Sequence, residues 1–280
     1  MLLNMLALTS SIFIFSTLFT NVYSIGEGGI DVNTFAGLIN GIGYLLKNDI
    51  EPVDVPSKVL MGKWYQMYKS ALSFDGQKTQ SYCALAYFKQ NSIMGADGFS
   101  IEEGFRTGTK NGHLDTYKRD LNKVGLGKYW MYTEEYFYPK QFHIMKVGPT
   151  YNNETKEGNI QYIVVSDANR MGLLVYAREP IAFYQHYNKE VTEFLEKAGF
   201  GGKVFWNAPK PIYQGQDCEY PSEKEVFARR VMKNMENAQR AKENEKNGIK
   251  NDPNNVEAES PFAALLQNPQ LALQKLVQRN

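Results

Sequence analysis

Between Gly62 and Pro180, short runs of aromatic and β-branched residues alternate with breaks that carry Gly, Asn or Asp. Runs at 63–68, 81–89, 98–107, 114–121, 129–138, 141–147, 160–166 and 172–177 each have the length and composition of a strand. The breaks at 95–98, 111–112, 125–127 and 167–170 hold the small and amide residues that tight turns favour. Many short strands joined by close turns predict an all-β domain of antiparallel hairpins, either a barrel or a sandwich. One helix is predicted after the strands. Asn188 caps it in this reading, Val191, Phe194, Leu195 and Ala198 share a face, and Gly199 ends it.

The two ends depart from this pattern. Residues 1–24 read as a secretory signal peptide. Met1-Leu2-Leu3 opens an apolar stretch that runs to Phe19, and Val22-Tyr23-Ser24 sets cleavage before Ile25. No Lys or Arg precedes the stretch, so an uncleaved anchor is the alternative; polar interruptions such as Thr9, Ser10 and Ser16 oppose it. Beyond Glu219, charges of both signs become dense and aromatic residues nearly vanish. Ser222 and Glu225 form a capping box, and Phe227, Val231, Met235 and Ala238 trace a thin apolar stripe at helical spacing. Such a helix needs a partner surface. Residues 251–260 read as a linker, and Phe262, Leu265, Leu266, Leu273, Leu276 and Val277 form a second amphipathic segment interrupted by Pro269. This tail reads either as poorly ordered or as a docking segment for an extracellular protein or a membrane surface.

Charge and composition narrow the function classes. The balance of 31 Lys and Arg against 30 Asp and Glu leaves no global field to attract nucleic acid. Aromatic residues make up 13% of the chain, too many for a disordered one. Export supplies the oxidising context in which Cys83 and Cys218, the two cysteines, form a disulfide. Asn153-Glu154-Thr155 is a glycosylation sequon inside the polar run 151–159. The sequence holds no motif of a metalloprotease, a serine hydrolase, a phosphate-binding loop or a dithiol redox centre. His113, His143 and His186 lack metal-ligand spacing, and the carboxylates of Glu102-Glu103 fall on opposite faces of a strand. The expectation is a protein that is not an enzyme and holds no metal or cofactor.

Several elements in order resemble the lipocalin family. Gly62-Lys63-Trp64-Tyr65 is similar to the Gly-x-Trp-Tyr element that opens the family's first strand. The stretch 81–88, with Cys83, resembles the second strand, which often begins with a half-cystine. Residues 162–167 followed by 172–176 resemble the late hairpin, although Ser166-Asp167-Ala168 stands where Thr-Asp-Tyr is usual. Arg178 matches the Arg that precedes the family's C-terminal helix, and Cys218 falls where the partner half-cystine is often placed. Arg178 follows the late hairpin almost directly, so the strand that the family inserts there must come from two strands having merged or from the segment 129–147. The long tail and Tyr-rich body look closest to lipocalin-related proteins of nematodes.

The resemblance implies a lipocalin-like antiparallel up-and-down β-barrel with one C-terminal helix packed outside. It implies a layout of signal peptide 1–24, N-terminal extension 25–52, barrel with its helix 53–220, and charged tail 221–280. It also implies structural roles for Trp64, plugging the closed end, and Arg178, lying over the indole. With Trp64 taken as inward, Gln66 and Tyr68 share its face. The candidate cavity residues are Tyr68, Leu85, Tyr87, Tyr132, Phe142, Ile163 and Val165. The function implied is a secreted carrier of a small hydrophobic or amphiphilic ligand. The alternative is an extracellular-matrix or interaction protein that uses the barrel as a scaffold and the tail as its working surface.

Overall fold

Each predicted run between residues 62 and 177 contributes a strand, the run 129–138 through its described part up to residue 133. The computed structural model describes residues 50–70, 81–95, 97–133, 139–168, 170, 172–201 and 207–246. The predicted signal peptide, the N-terminal extension up to residue 49 and the second amphipathic segment of the tail lie outside the described residues. The strands are β1 (Gly62–Ser70), β2 (Ser81–Gln90), β3 (Phe99–Thr107), β4 (Leu114–Gly125), β5 (Lys128–Thr133), β6 (Lys140–Asn152), β7 (Glu157–Ser166) and β8 (Leu173–Ala177). Each pairs antiparallel with the next, β8 pairs with β1, and β1 returns to β2. The sheet therefore closes into an eight-stranded up-and-down barrel with no free edge. Segment 129–147 supplies both β5 and β6, which completes the strand count.

A ninth strand, β9 (Pro209–Pro211), inserts into the wall. The first half of β1 pairs with β2, from Gly62↔Phe88 to Tyr65↔Leu85. Further along, β1 pairs instead with β9, from Tyr68↔Pro211 to Ser70↔Pro209. The segment after β9 then reaches β2, where Cys83 N–H donates to Tyr213 O at 2.8 Å. The Gln214 amide donates to both Gln66 O and Ala84 O, at 2.9 and 2.7 Å. A disulfide joins Cys83 to Cys218 and fixes the inserted segment to β2. The strand pattern does not reveal β9, because its two prolines lack N–H donors and are depleted from sheet interiors.

Helical segments flank and cover the barrel. A helix over 180–200, α2, starts at Pro180, whose fixed φ suits a first helical position. This start lies eight residues before the predicted cap. Asn188 instead sits inside the helix, where its side chain accepts a hydrogen bond from the Tyr68 hydroxyl at 2.7 Å. Gly199, at φ 91°, ends the regular turns as predicted. Phe183, Val191 and Leu195 bury against Tyr65, Met67, Val164 and Val175 on the outer wall. A short helix, α1 (Ser57–Leu60), precedes β1.

The tail begins with α3 (Glu223–Lys246). The Ser222 hydroxyl and N–H both reach Glu225 Oε2, at 2.6 and 2.7 Å, which completes the capping box. The predicted apolar stripe does not dock on the barrel. Phe227, Val231, Met232 and Met235 are exposed on the outer side, Phe227 at 51% and Met235 at 60%. The opposite face holds the wall through buried Val226, Arg229 to Leu114 O (3.1 Å), Arg230 to Glu102 (3.2 Å) and Lys233 to Asp115 (3.1 Å). Among the described residues, no helix is long and apolar enough to cross a membrane.

Candidate functional site

The barrel interior has a closed, aromatic floor. Trp64 is fully buried, and its indole N–H donates to Leu60 O at 2.7 Å. The guanidinium of Arg178 lies 3.8 Å from the indole centroid and donates to Lys63 O and Val59 O. Burial lowers its affinity for a proton, which the cation–π contact and the two carbonyls oppose. Asp54 ties the segment before α1 to the same end. Burial pushes its carboxyl up, but hydrogen bonds from Lys123, Lys156 and Gly127 outweigh that and hold it below the usual carboxylate range. Above Trp64, Phe88 stands 5.7 Å from Trp64, 5.7 Å from Phe99 and 5.5 Å from Tyr176. Tyr129 and Phe142 extend this ring cluster across the floor.

Nearer the other end, the inner face turns polar. Glu103 and Arg119 are both fully buried, 2.8 Å apart, on neighbouring strands. The Arg119 guanidinium also lies 4.6 Å from the ring centroid of Tyr117. Gln66 is fully buried on β1 beside Tyr176, and neither its amide N nor its amide O has a hydrogen-bond partner among the described residues. Thr133, opposite Arg119 on β5, has a buried hydroxyl in the same condition. An unpaired buried polar group costs about 1–3 kcal/mol. The inner face therefore combines a buried ion pair with unfilled hydrogen-bonding capacity. Lys69 also faces inward, nearer the open end, and donates to Ser81 Oγ at 3.1 Å. Among the described residues, no cluster of His, Cys, Asp and Glu is placed to hold a metal ion.

A family model for the lipocalin domain matches residues 40–207, more than half of the chain. The chain belongs to the lipocalin family. Lipocalins are typically extracellular binding proteins, not enzymes, and generally hold small hydrophobic molecules. No curated protein matches this lipocalin in sequence. Among solved structures, lobster apocrustacyanin A1 is 13% identical, with a TM-score of 0.38 over 61% of this chain and 92% of its own. Japanin from Rhipicephalus appendiculatus, in a crystal form bound to cholesterol, is 11% identical, with a TM-score of 0.38 over 59% of this chain and 99% of its own.

The structure divides the predicted cavity residues of this lipocalin in two. Phe142, Ile163 and Val165 face inward, in one buried cluster with Trp64. Tyr68, Leu85 and Tyr87 face outward. A register shift between Gln66 and Tyr68 turns Tyr68 toward α2, where its ring lies 6.2 Å from Phe183. On β2, Trp64 pairs with Ala86, so Ala86 and Phe88 line the interior, while Leu85 and Tyr87 take the outer face. Tyr132 also points outward, because Met131 and Thr133, which flank it, share the inner face with Leu121 and Arg119. The sequon residue Asn153 is exposed in the turn between β6 and β7.

Sequence reasoning missed the Glu103–Arg119 pair. The available signal was charge at an apolar parity. Glu103 follows Phe99 and Ile101 at alternate positions, and Arg119 precedes Leu121 in the same way.

Proposed function

We propose that this lipocalin carries or sequesters a small hydrophobic or amphiphilic molecule, of the size of a fatty acid, retinoid or sterol, inside its barrel. We further propose that it does so as a secreted protein. One observation carries the reading. The inner face places an apolar aromatic floor below a buried polar layer whose amide is unfilled, an arrangement that fixes the orientation of an amphiphile. The disulfide supports an oxidising compartment. The test is native mass spectrometry of the protein secreted from a eukaryotic host, followed by release of any bound molecule. A stoichiometric lipid-sized adduct on a chain beginning at Ile25 is expected. A bare protein mass that persists after soaking with mixed lipids would overturn the reading.

A second reading, an interaction protein working through residues 221–280, draws on the outward apolar residues of α3. It is favoured if replacing Phe227, Val231 and Met235 by Ser abolishes extracellular retention and leaves ligand content unchanged.

A further inference from the structure

The polar layer also specifies the chemistry of its occupant. Resting on the carrier reading, we propose that the ligand is an apolar alcohol, and that its hydroxyl seats on the Gln66 amide.

Three observations combine. First, alternation along the strands places these polar residues on the inner face of the barrel. Gln66 pairs across strands with Tyr176, Glu103 with Tyr117 and Ala86, and Arg119 with Thr133. Gln66 is flanked on β2 by Ala84, since the amide of Gln214 binds the carbonyls of both. Ala84 offers Gln66 a methyl group and no polar atom.

Second, Gln66 has unmet demand of both kinds. Its Nε2 is a donor and its Oε1 an acceptor, both are buried, and neither is paired. A hydroxyl meets both at once, accepting from Nε2 and donating to Oε1. A ketone or aldehyde only accepts, and so does a carboxylate; each leaves Oε1 dry. Oε1 also repels a carboxylate directly.

Third, the buried guanidinium of Arg119 already has a carboxylate partner. Arg119 is committed to Glu103 at 2.8 Å with both side chains fully buried. An incoming carboxylate would add a negative charge to an interior that already buries Glu103, and would lose its own hydration. Lys69 lies three residues further along β1 toward the open end, and its ammonium donates to Ser81. A ligand held there by its acid would leave a hydrocarbon tail against the dry amide of Gln66.

The test compares three ten-carbon molecules that differ in the polar group: 1-decanol, 2-decanone and decanoate. Affinities are read by displacement of N-phenyl-1-naphthylamine at neutral pH, on the full secreted protein and on Gln66→Leu. The variant removes an unpaired buried amide, so its fold is not at risk, and circular dichroism checks this. Wild type is expected to bind decanol at least tenfold tighter than the ketone or the acid. Gln66→Leu is expected to lose about tenfold for decanol and to change less than threefold for the ketone. Equal or tighter binding of decanoate, lost in Lys69→Met, would instead place a carboxylate at the open end and overturn the inference. Unchanged decanol affinity in Gln66→Leu would overturn it as well, and both results leave the carrier reading standing. Absence of saturable binding by all four molecules, the fluorophore included, removes the carrier reading and this inference with it.

Discussion

Glu103 and Arg119 are two opposite charges withdrawn from water and set 2.8 Å apart inside the barrel. Their mutual attraction offsets a desolvation cost that neither could bear alone. Removing one partner leaves the other charged and dry, whereas removing both leaves neither charge buried without its counterpart. Arg119→Met alone is therefore expected to lower stability by about 3–5 kcal/mol, read from urea unfolding. Glu103→Met combined with Arg119→Met should recover most of that loss. A single variant as stable as wild type would show that the pair does not hold in solution. At this scale the sequence was partly legible. Alternation separates Glu102 from Glu103, and Glu102 does face outward, toward Lys89 and Arg230. The partner of Glu103 was not legible, because it depends on the register between β3 and β4. Trp64 and Arg178 were legible only through likeness to a family, since no local rule brings residues so distant in sequence together.

Strand positions were readable from runs and breaks, but inner and outer faces only in part: Phe142, Ile163 and Val165 face inward as expected, and Tyr68, Leu85, Tyr87 and Tyr132 do not. Faces are set by parity, and one bulge inverts it. The shift after Gln66 moves Tyr68 from the interior to α2, and a second irregularity in β2, between Tyr82 and Leu85, occurs where Cys83 adopts φ 49°. Of the two predicted helix faces, that of α2 is the buried one, with Val191, Leu195 and Ala198 against the wall, whereas that of α3 is not. The stripe of α3 follows helical periodicity, yet the helix docks by its charged side. The reason lies on β3. Gly104 has no side chain, and a Cβ there would come 2.6 Å from Val226 and 3.0 Å from Pro221. The bare backbone thus forms the seat for α3. Gly104→Val overfills that seat at a cost of about 1–3 kcal/mol, which raises the open population of α3 about 5- to 150-fold. Limited trypsin digestion at Arg229, Arg230 and Lys233 is expected to accelerate accordingly, with the barrel's melting temperature nearly unchanged. Cleavage at the wild-type rate would mean that the ion pairs with Glu102 and Asp115, and not Val226, hold the helix.

For the whole molecule, closure of the barrel depends on a segment that arrives after all eight strands. The upper parts of β1 and β2 do not pair with each other; β9 and residues 212–214 fill the seam between them. Few hydrogen bonds hold that seam, and two prolines limit how many are available. The Cys83–Cys218 disulfide, spanning a sequence separation of 135, keeps the segment near its place even in the unfolded chain. Chain-entropy arguments set its contribution at no more than about 5 kcal/mol, and removal of comparable native disulfides costs about 2–5 kcal/mol. Cys83→Ser combined with Cys218→Ser is therefore expected to lower the urea midpoint by that equivalent. The loss should also be local. Amide exchange is expected to rise first in residues 66–70 and 207–214, while the Trp64 end, closed by Arg178 and Asp54, keeps its protection. Uniform loss of protection around the barrel would mean that the bond acts on the unfolded chain alone. Loss confined to the seam would identify β9 as the weakest stave of the wall. It would also predict that reduction of the disulfide speeds ligand exchange through the side of the barrel, where the Gln66 carbonyl accepts from Gln214 of the inserted segment.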